Sequence, residues 1–278
     1  MTRLAWRRIV PKTPRPHATP LLLIHGFACG MDDWGTLPRA LARRRAADVL
    51  TFDHRGVGAS PAPPSGFTVD DMVADARAVL SAAGYARANV MGISLGGMVA
   101  QRFAATHAEA TNALVLGCTT HGGGAAAPPS EGFTQLAAAW ARAHEPNEAV
   151  ELDAFVRMML PAGGGGEPAL LRRVKVAFRE THRSAAGLQA QLHAMGRFNS
   201  TRYLQEIDCP ALVVTGDQDA VLPAANSRSL AERLPNCRLE VLQGAGHLFW
   251  THRPAEVVDL LTLFLDECDH ARVPSTGT

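Results

Sequence analysis

Gly92-Ile93-Ser94-Leu95-Gly96 sets a serine midway between two glycines. Such a run is weak evidence by itself in a chain with 25 glycines. Its setting strengthens it, because Asn89 to Ile93 reads as a strand and Leu95 to His107 as a helix. A serine on a sharp strand-to-helix turn has its Oγ thrust above the sheet edge, and the flanking glycines let strand and helix crowd together. The helix N-terminus brings unpaired N–H groups and a positive dipole end to the same place. The chemistry implied is nucleophilic attack, and a serine hydroxyl needs a base within hydrogen-bond reach to perform it. Of 11 histidines, His247 stands out: Gly244-Ala245-Gly246-His247 is a glycine-rich loop after a strand, from which an imidazole can swing over the sheet edge. A third group must orient that imidazole. Asp217 and Asp219 both follow the strand from Ala211 to Thr215 and compete for the role.

These loops need a scaffold that brings strand ends together. Leu21 to His25 is a continuous apolar run, as expected of a strand buried on both faces. Leu37 to Arg45 reads as a helix, Val49 to Asp53 as a strand, and Asp70 to Ala83 as a helix with an apolar stripe through Met72, Val73, Ala76, Val79 and Leu80. Further strands are read at Ala113 to Cys118, Ala211 to Thr215 and Arg238 to Leu242, with helices at Ala224 to Leu234 and Pro254 to Glu267. Alternation of strand and helix predicts the α/β class, a mostly parallel sheet with helices on both faces. Residues 121–207 break the alternation. They open on His121-Gly122-Gly123-Gly124, a hinge-like composition, then read as helices at Gly132 to His144, Asn147 to Leu160, Pro168 to His182 and Ser184 to Phe198. Apolar residues recur in them at helical spacing, as in Leu188 with Leu192 and Met195. Gly163 to Gly166 separate the middle two; no Lys-Ser or Lys-Thr follows, which argues against a phosphate cradle.

Over nearly its full length the chain resembles the α/β-hydrolases. His25-Gly26-Phe27 is similar to that family's loop after its third strand, and Asp53-His54-Arg55-Gly56-Val57-Gly58-Ala59-Ser60 to the stretch after its fourth. Gly216-Asp217-Gln218-Asp219 resembles the acid loop after the seventh strand, and Gly244 to His247 the histidine loop after the eighth. The run from Gly92 to Gln101 and the four-helix insertion resemble the branch holding enol-lactonases and small carboxylesterases. The resemblance implies a core of residues 1–120 and 208–278 and a helical lid of residues 121–207 inserted after the sixth strand. It implies a triad of Ser94, Asp219 and His247 in that chain order. It leaves Asp217 to bind backbone, and makes the backbone N–H groups of Phe27 and Leu95 the oxyanion donors. Relatives that carry the acid after the sixth strand have no counterpart here, where Cys118 and Thr119 stand. His25 is expected to brace the oxyanion loop, and His54 and His252 to be surface or packing residues.

The implied reaction is two-step acyl transfer on a small-molecule ester or lactone, with no metal and no organic cofactor. Trp140, Phe155, Met158 and Met159 are the expected lid contacts to substrate. The same triad serves carbon–carbon bond hydrolysis or cofactor-free perhydrolysis, and the same scaffold serves ligand receptors. Epoxide hydrolases are disfavoured, since Ala28 stands where they have proline and Ser94 where they have aspartate. A net charge of +1 offers no global field for nucleic acid or an anionic membrane. No apolar run approaches the roughly 20 residues that span a bilayer. Five scattered cysteines without a Cys-x-x-Cys pair point away from disulfides and zinc and toward a reducing, cytoplasmic setting. The basic start, with Arg3, Arg7, Arg8, Lys12 and Arg15 before the first acid, reads as an edge strand or hairpin in preference to an organelle-targeting segment. Nothing in the residues speaks to oligomeric state.

Overall fold

A computed structural model describes residues 3–16, 18–62, 65–143, 146, 151–161 and 168–271. Seven strands form one sheet: β1 (Trp6–Ile9), β2 (Leu21–Ile24), β3 (Val49–Phe52), β4 (Ala88–Ile93), β5 (Thr111–Gly117), β6 (Ala211–Gly216) and β7 (Cys237–Leu242). Their order is β1-β3-β2-β4-β5-β6-β7. Only β1 runs antiparallel, paired with β3 from Trp6 opposite Phe52 to Ile9 opposite Val49. The basic start of the chain thus carries an edge strand. β2 through β6 are buried along their whole length, which is why they read as unbroken apolar runs. The strand that the family resemblance numbers sixth is β5 here.

Ten α-helices are described: α1 (Leu37–Arg45), α2 (Val69–Ala82), α3 (Leu95–Thr106), α4 (Glu131–Arg142), α5 (Glu151–Met159), α6 (Pro168–Glu180), α7 (Ala185–Gly196), α8 (Ala224–Arg233), α9 (Phe249–His252) and α10 (Pro254–His270). From β2 the chain crosses one way to β3, and from β3 the other way, past β2, to β4. Right-handed crossovers then put α1, with its partner α10, on one face and α2, α3 and α8 on the other. The reversal opens a crevice outside the carboxyl ends of β2 and β4, the place where ligands bind in open α/β sheets. No described helix is long and apolar enough to cross a membrane.

Helices α4 to α7 lie between β5 and β6, with α4 against α5 and α7, and α5 against α6. The expected tetraglycine break at Gly163 to Gly166 and the start of the second insertion helix at residues 147–150 lie outside the described residues. Gly122 and Gly123, at the opening of the insertion, serve close packing rather than a loose hinge. Gly122 has φ +66°, and a Cβ there would sit 2.2 Å from the Phe198 carbonyl oxygen. Gly122 bridges Asn199, and the Ser200 N–H donates to the His121 carbonyl at 2.8 Å, so the two ends of the insertion are pinned side by side.

Candidate active site

Ser94 sits between β4 and α3 with φ +54° and ψ −119°. A non-glycine residue in such a conformation costs about 1–3 kcal/mol. The surroundings hold it: its N–H donates to the Gly117 carbonyl at 2.9 Å, and its carbonyl accepts from Thr119 Oγ1 at 2.7 Å. The flanking glycines are required by proximity. A Cβ on Gly92 would lie 2.1 Å from the Gly96 oxygen, and one on Gly96 would lie 2.1 Å from the Ile24 oxygen.

Two further loops meet this turn. His247 Nδ1 and Asp219 Oδ2 are 2.7 Å apart, with both side chains buried. The other Asp219 oxygen accepts the Val221 and Leu222 N–H groups at 2.8 and 3.0 Å, so both of its oxygens are engaged. This arrangement assigns the Nδ1 proton to the bond with the carboxylate and leaves His247 Nε2 as the nitrogen free to accept a proton. That nitrogen is buried without a hydrogen-bond partner among the described residues. Asp217 does something different: its Oδ1 accepts the Gly244 N–H at 2.6 Å, tying the acid loop to the histidine loop. Ser94 and His247 line one small cavity of about 10 Å³, together with Gly26, Phe27, Phe155 and Met159.

The loop from His25 to Gly30, expected from the family resemblance to hold an oxyanion donor, lies against the Ser94 turn at Gly26. Among the described residues the N–H groups of Phe27 and Leu95 have no hydrogen-bond partner. The loop is held from every side. His25 is a brace, as expected: its Nδ1 accepts the Gly26 N–H at 2.8 Å, and its carbonyl accepts from His54 Nε2 at 2.9 Å. Burial, then the neighbouring His54, pushes the His25 pKa well below the usual histidine value and keeps the ring neutral. His54 is itself buried, as a packing residue. Two residues that the sequence did not single out come from the insertion. Ala28, with φ +61°, accepts from Arg183 Nε at 2.7 Å and donates to Gln191 Oε1 at 2.8 Å. Arg183 also lies 3.5 Å from Asp33 Oδ2, and all of these side chains are buried. An arginine between two helices of an insertion looks like any solvated charge in one dimension, so no local signal marks it.

The four expected substrate contacts divide. Phe155 and Met159 line the cavity at Ser94. Trp140 and Met158 line neither that cavity nor the larger one described next. Trp140 is fully buried, donates to the Pro146 carbonyl at 2.6 Å, and packs edge-on against Phe27 with ring centres 6.2 Å apart. Its amphipathic spacing marked an inward face, and that face packs on Phe27 and Phe155. Met158 packs where α5 meets Gly132 of α4. A larger cavity of about 600 Å³ also reaches Ser94, lined by Met98, Phe133, Leu192, Met195, Val221 and Leu222 among others. The Leu192 and Met195 pair was visible in the apolar stripe of α7, though its destination was not.

Among the described residues, one set of three possible metal ligands falls close together: Cys118, Asp219 and His247, with ligand atoms within 4.8 Å of one another. It is the carboxylate–imidazole pair itself plus a thiol. Burial and the nearby Asp219 push the Cys118 pKa well above the usual thiol value.

A serine on a strained turn, a buried carboxylate–imidazole pair and two unused N–H donors meet at the carboxyl ends of β2, β4, β6 and β7. The model of the alpha/beta hydrolase fold family matches residues 19–251. The chain is an α/β-hydrolase. It is 30% identical over 263 residues to a poly(3-hydroxyalkanoate) depolymerase of Ectopseudomonas oleovorans, covering 94% of this chain and 89% of that one. Among solved structures, this α/β-hydrolase resembles the enol-lactonase from Burkholderia xenovorans with a TM-score of 0.80 and 25% identity, covering 95% and 97% of the two chains. A hydrolase from Pseudomonas aeruginosa gives a TM-score of 0.79 at 26% identity, covering 94% of each chain.

Proposed function

We propose that this α/β-hydrolase cleaves a carboxylic ester or lactone through an acyl-enzyme on Ser94. His247 acts as general base and then general acid, and Asp219 orients it. The observation that carries the reading is the buried 2.7 Å contact between His247 and Asp219 beside a cavity that Ser94 also lines. Ser94 Oγ attacks the carbonyl carbon as His247 Nε2 takes its proton. The N–H groups of Phe27 and Leu95 receive the developing oxyanion. The C–O bond breaks, the proton passes to the leaving oxygen, and water activated by His247 releases the acid. No step calls on a metal or an organic cofactor. In the same reading residues 1–120 and 208–278 are the catalytic core, and residues 121–207 are a cap that walls the cavity with α4, α5 and α7.

The names of relatives support this chemistry. An enol-lactonase opens a cyclic ester, and both it and the depolymerase match across nearly the whole chain. The test is a fluorophosphonate probe together with a panel of p-nitrophenyl esters, lactones and an amide. Ser94 is expected to be labelled and no other serine. Ser94→Ala is expected to fold normally and to lose on the order of 10⁴- to 10⁶-fold in turnover. Retention of more than a few per cent of the wild-type rate by that variant would sink the assignment.

A further inference from the structure

Two cavities meet at Ser94 and Phe133, and they differ in size and in which catalytic group they see. The smaller, about 10 Å³, is also lined by His247, with Trp250, Phe155 and Met159. A space of that size accepts about one water. The larger, about 600 Å³, is not lined by His247. Its described lining holds no charged side chain; Ser94, Thr120 and Thr134 are its polar side chains, and Met98, Leu192, Met195, Val221 and Leu222 supply much of the rest. The size is that of a cavity that takes a small organic ligand.

Proton transfer decides which half of an ester goes where. His247 takes the proton from Ser94 Oγ as the Oγ–carbon bond forms. It gives that proton to the leaving oxygen as the carbon–oxygen bond breaks. The leaving oxygen must therefore stand on the histidine side. Water, which later surrenders a proton to His247 and completes the acid, must stand there too. The acyl group, bonded throughout to Ser94, extends the other way.

We propose that the larger cavity is an acyl site for a long, uncharged, apolar acid, and that the histidine side admits only a small leaving group or water. This assignment rests on the acyl-transfer reading above. It makes Leu192, Met195 and Ala138, none of them near the reacting atoms in sequence, the residues that set acyl length. Thioether and alkyl side chains suit such a site, because they adapt to a flexible chain and offer it no polar partner.

Isomeric esters separate the two halves, since ethyl octanoate and octyl acetate contain the same atoms and the same apolar surface. With purified full-length protein, kcat/KM for ethyl octanoate is expected to exceed that for octyl acetate by about tenfold or more. Within the ethyl esters, kcat/KM is expected to rise roughly threefold to fourfold per methylene from butanoate to octanoate, as each methylene leaves water. Leu192→Trp and Ala138→Phe, which narrow the cavity from two different helices, are each expected to cut the octanoate-to-butanoate ratio by about tenfold. A flat series, a preference for octyl acetate, or unchanged ratios in both variants would overturn the acyl assignment. Labelling of Ser94 by a fluorophosphonate with hydrolysis of neither isomer would overturn it as well, while leaving the serine-hydrolase reading in place. Absence of both labelling and hydrolysis would remove that reading and this proposal together.

Discussion

Asp217 and Asp219 stand two residues apart in one loop, yet the geometry gives them unrelated work. Asp219 meets His247, while Asp217 meets the Gly244 N–H. Asp219→Asn presents an amide N–H or an unsuitable tautomer to the imidazole, and is expected to lower kcat by about 10⁴. Asp217→Asn keeps an oxygen that can accept from Gly244, and is expected to change kcat by less than about tenfold. Steady-state kinetics of the two variants, ranked the other way, would reject the placement. Asp33 offers a separate titration. Burial raises it from 3.8 to about 6, against the opposing pull of Arg183. An acid whose folded pKa lies above its unfolded one contributes stability that is fully present below pH 3.8 and is lost as pH rises through about 6. The Tm of wild type relative to Asp33→Asn is therefore expected to fall between about pH 4 and 6. Thermal unfolding at several pH values reads this directly, and a constant difference would count against it.

At the scale of elements, the insertion does more than cover the site. Arg183 and Gln191 grip both sides of the Ala28 peptide, next to the Phe27 N–H assigned to the oxyanion. Removal of an oxyanion donor costs on the order of 10²- to 10³-fold in kcat, so displacement of one is expected to cost about tenfold to hundredfold. Gln191→Leu and Arg183→Lys are expected to lower kcat with little change in KM, because the substrate carbonyl makes less of that contact than the transition state does. A rise in KM alone would show that these residues act only on binding. Arg183→Ala is a poorer probe: breaking a buried ion pair costs about 3–5 kcal/mol of stability and risks the fold. The same pair explains why one strand-end loop can keep Ala28 in a left-handed conformation.

For the molecule as a whole, core and insertion share one apolar interior. Trp140 of α4 packs on Phe27 of the oxyanion loop and on Phe155 of α5, with Arg183 over its ring at 5.2 Å. Trp140→Ala is expected to cost about 3–5 kcal/mol of stability, as for other large-to-small changes in a packed interior. It is expected to leave acyl-length preference much less altered than Leu192→Trp does. Chemical denaturation and the ester series measure the two effects independently, and a large change in preference with little loss of stability would return Trp140 to the substrate surface.

Sequence alone determined whatever depends on local rules. Buried parallel strands read as apolar runs, helices as stripes, and the elbow as two glycines around Ser94, because each of these is set within a few residues. The acid and histidine loops were legible for the same reason, being turns at strand ends in a chain order that the family resemblance made meaningful. What no local rule specifies is which inward face meets ligand and which meets core. Trp140 and Leu192 both lie on apolar stripes of insertion helices, yet one is sealed against Phe27 and the other lines the cavity at Ser94. Arg183 is a charge whose burial depends on Asp33, some 150 residues away. Periodicity reports that a side chain points inward; only the packing of four helices onto the strand ends decides what it finds there.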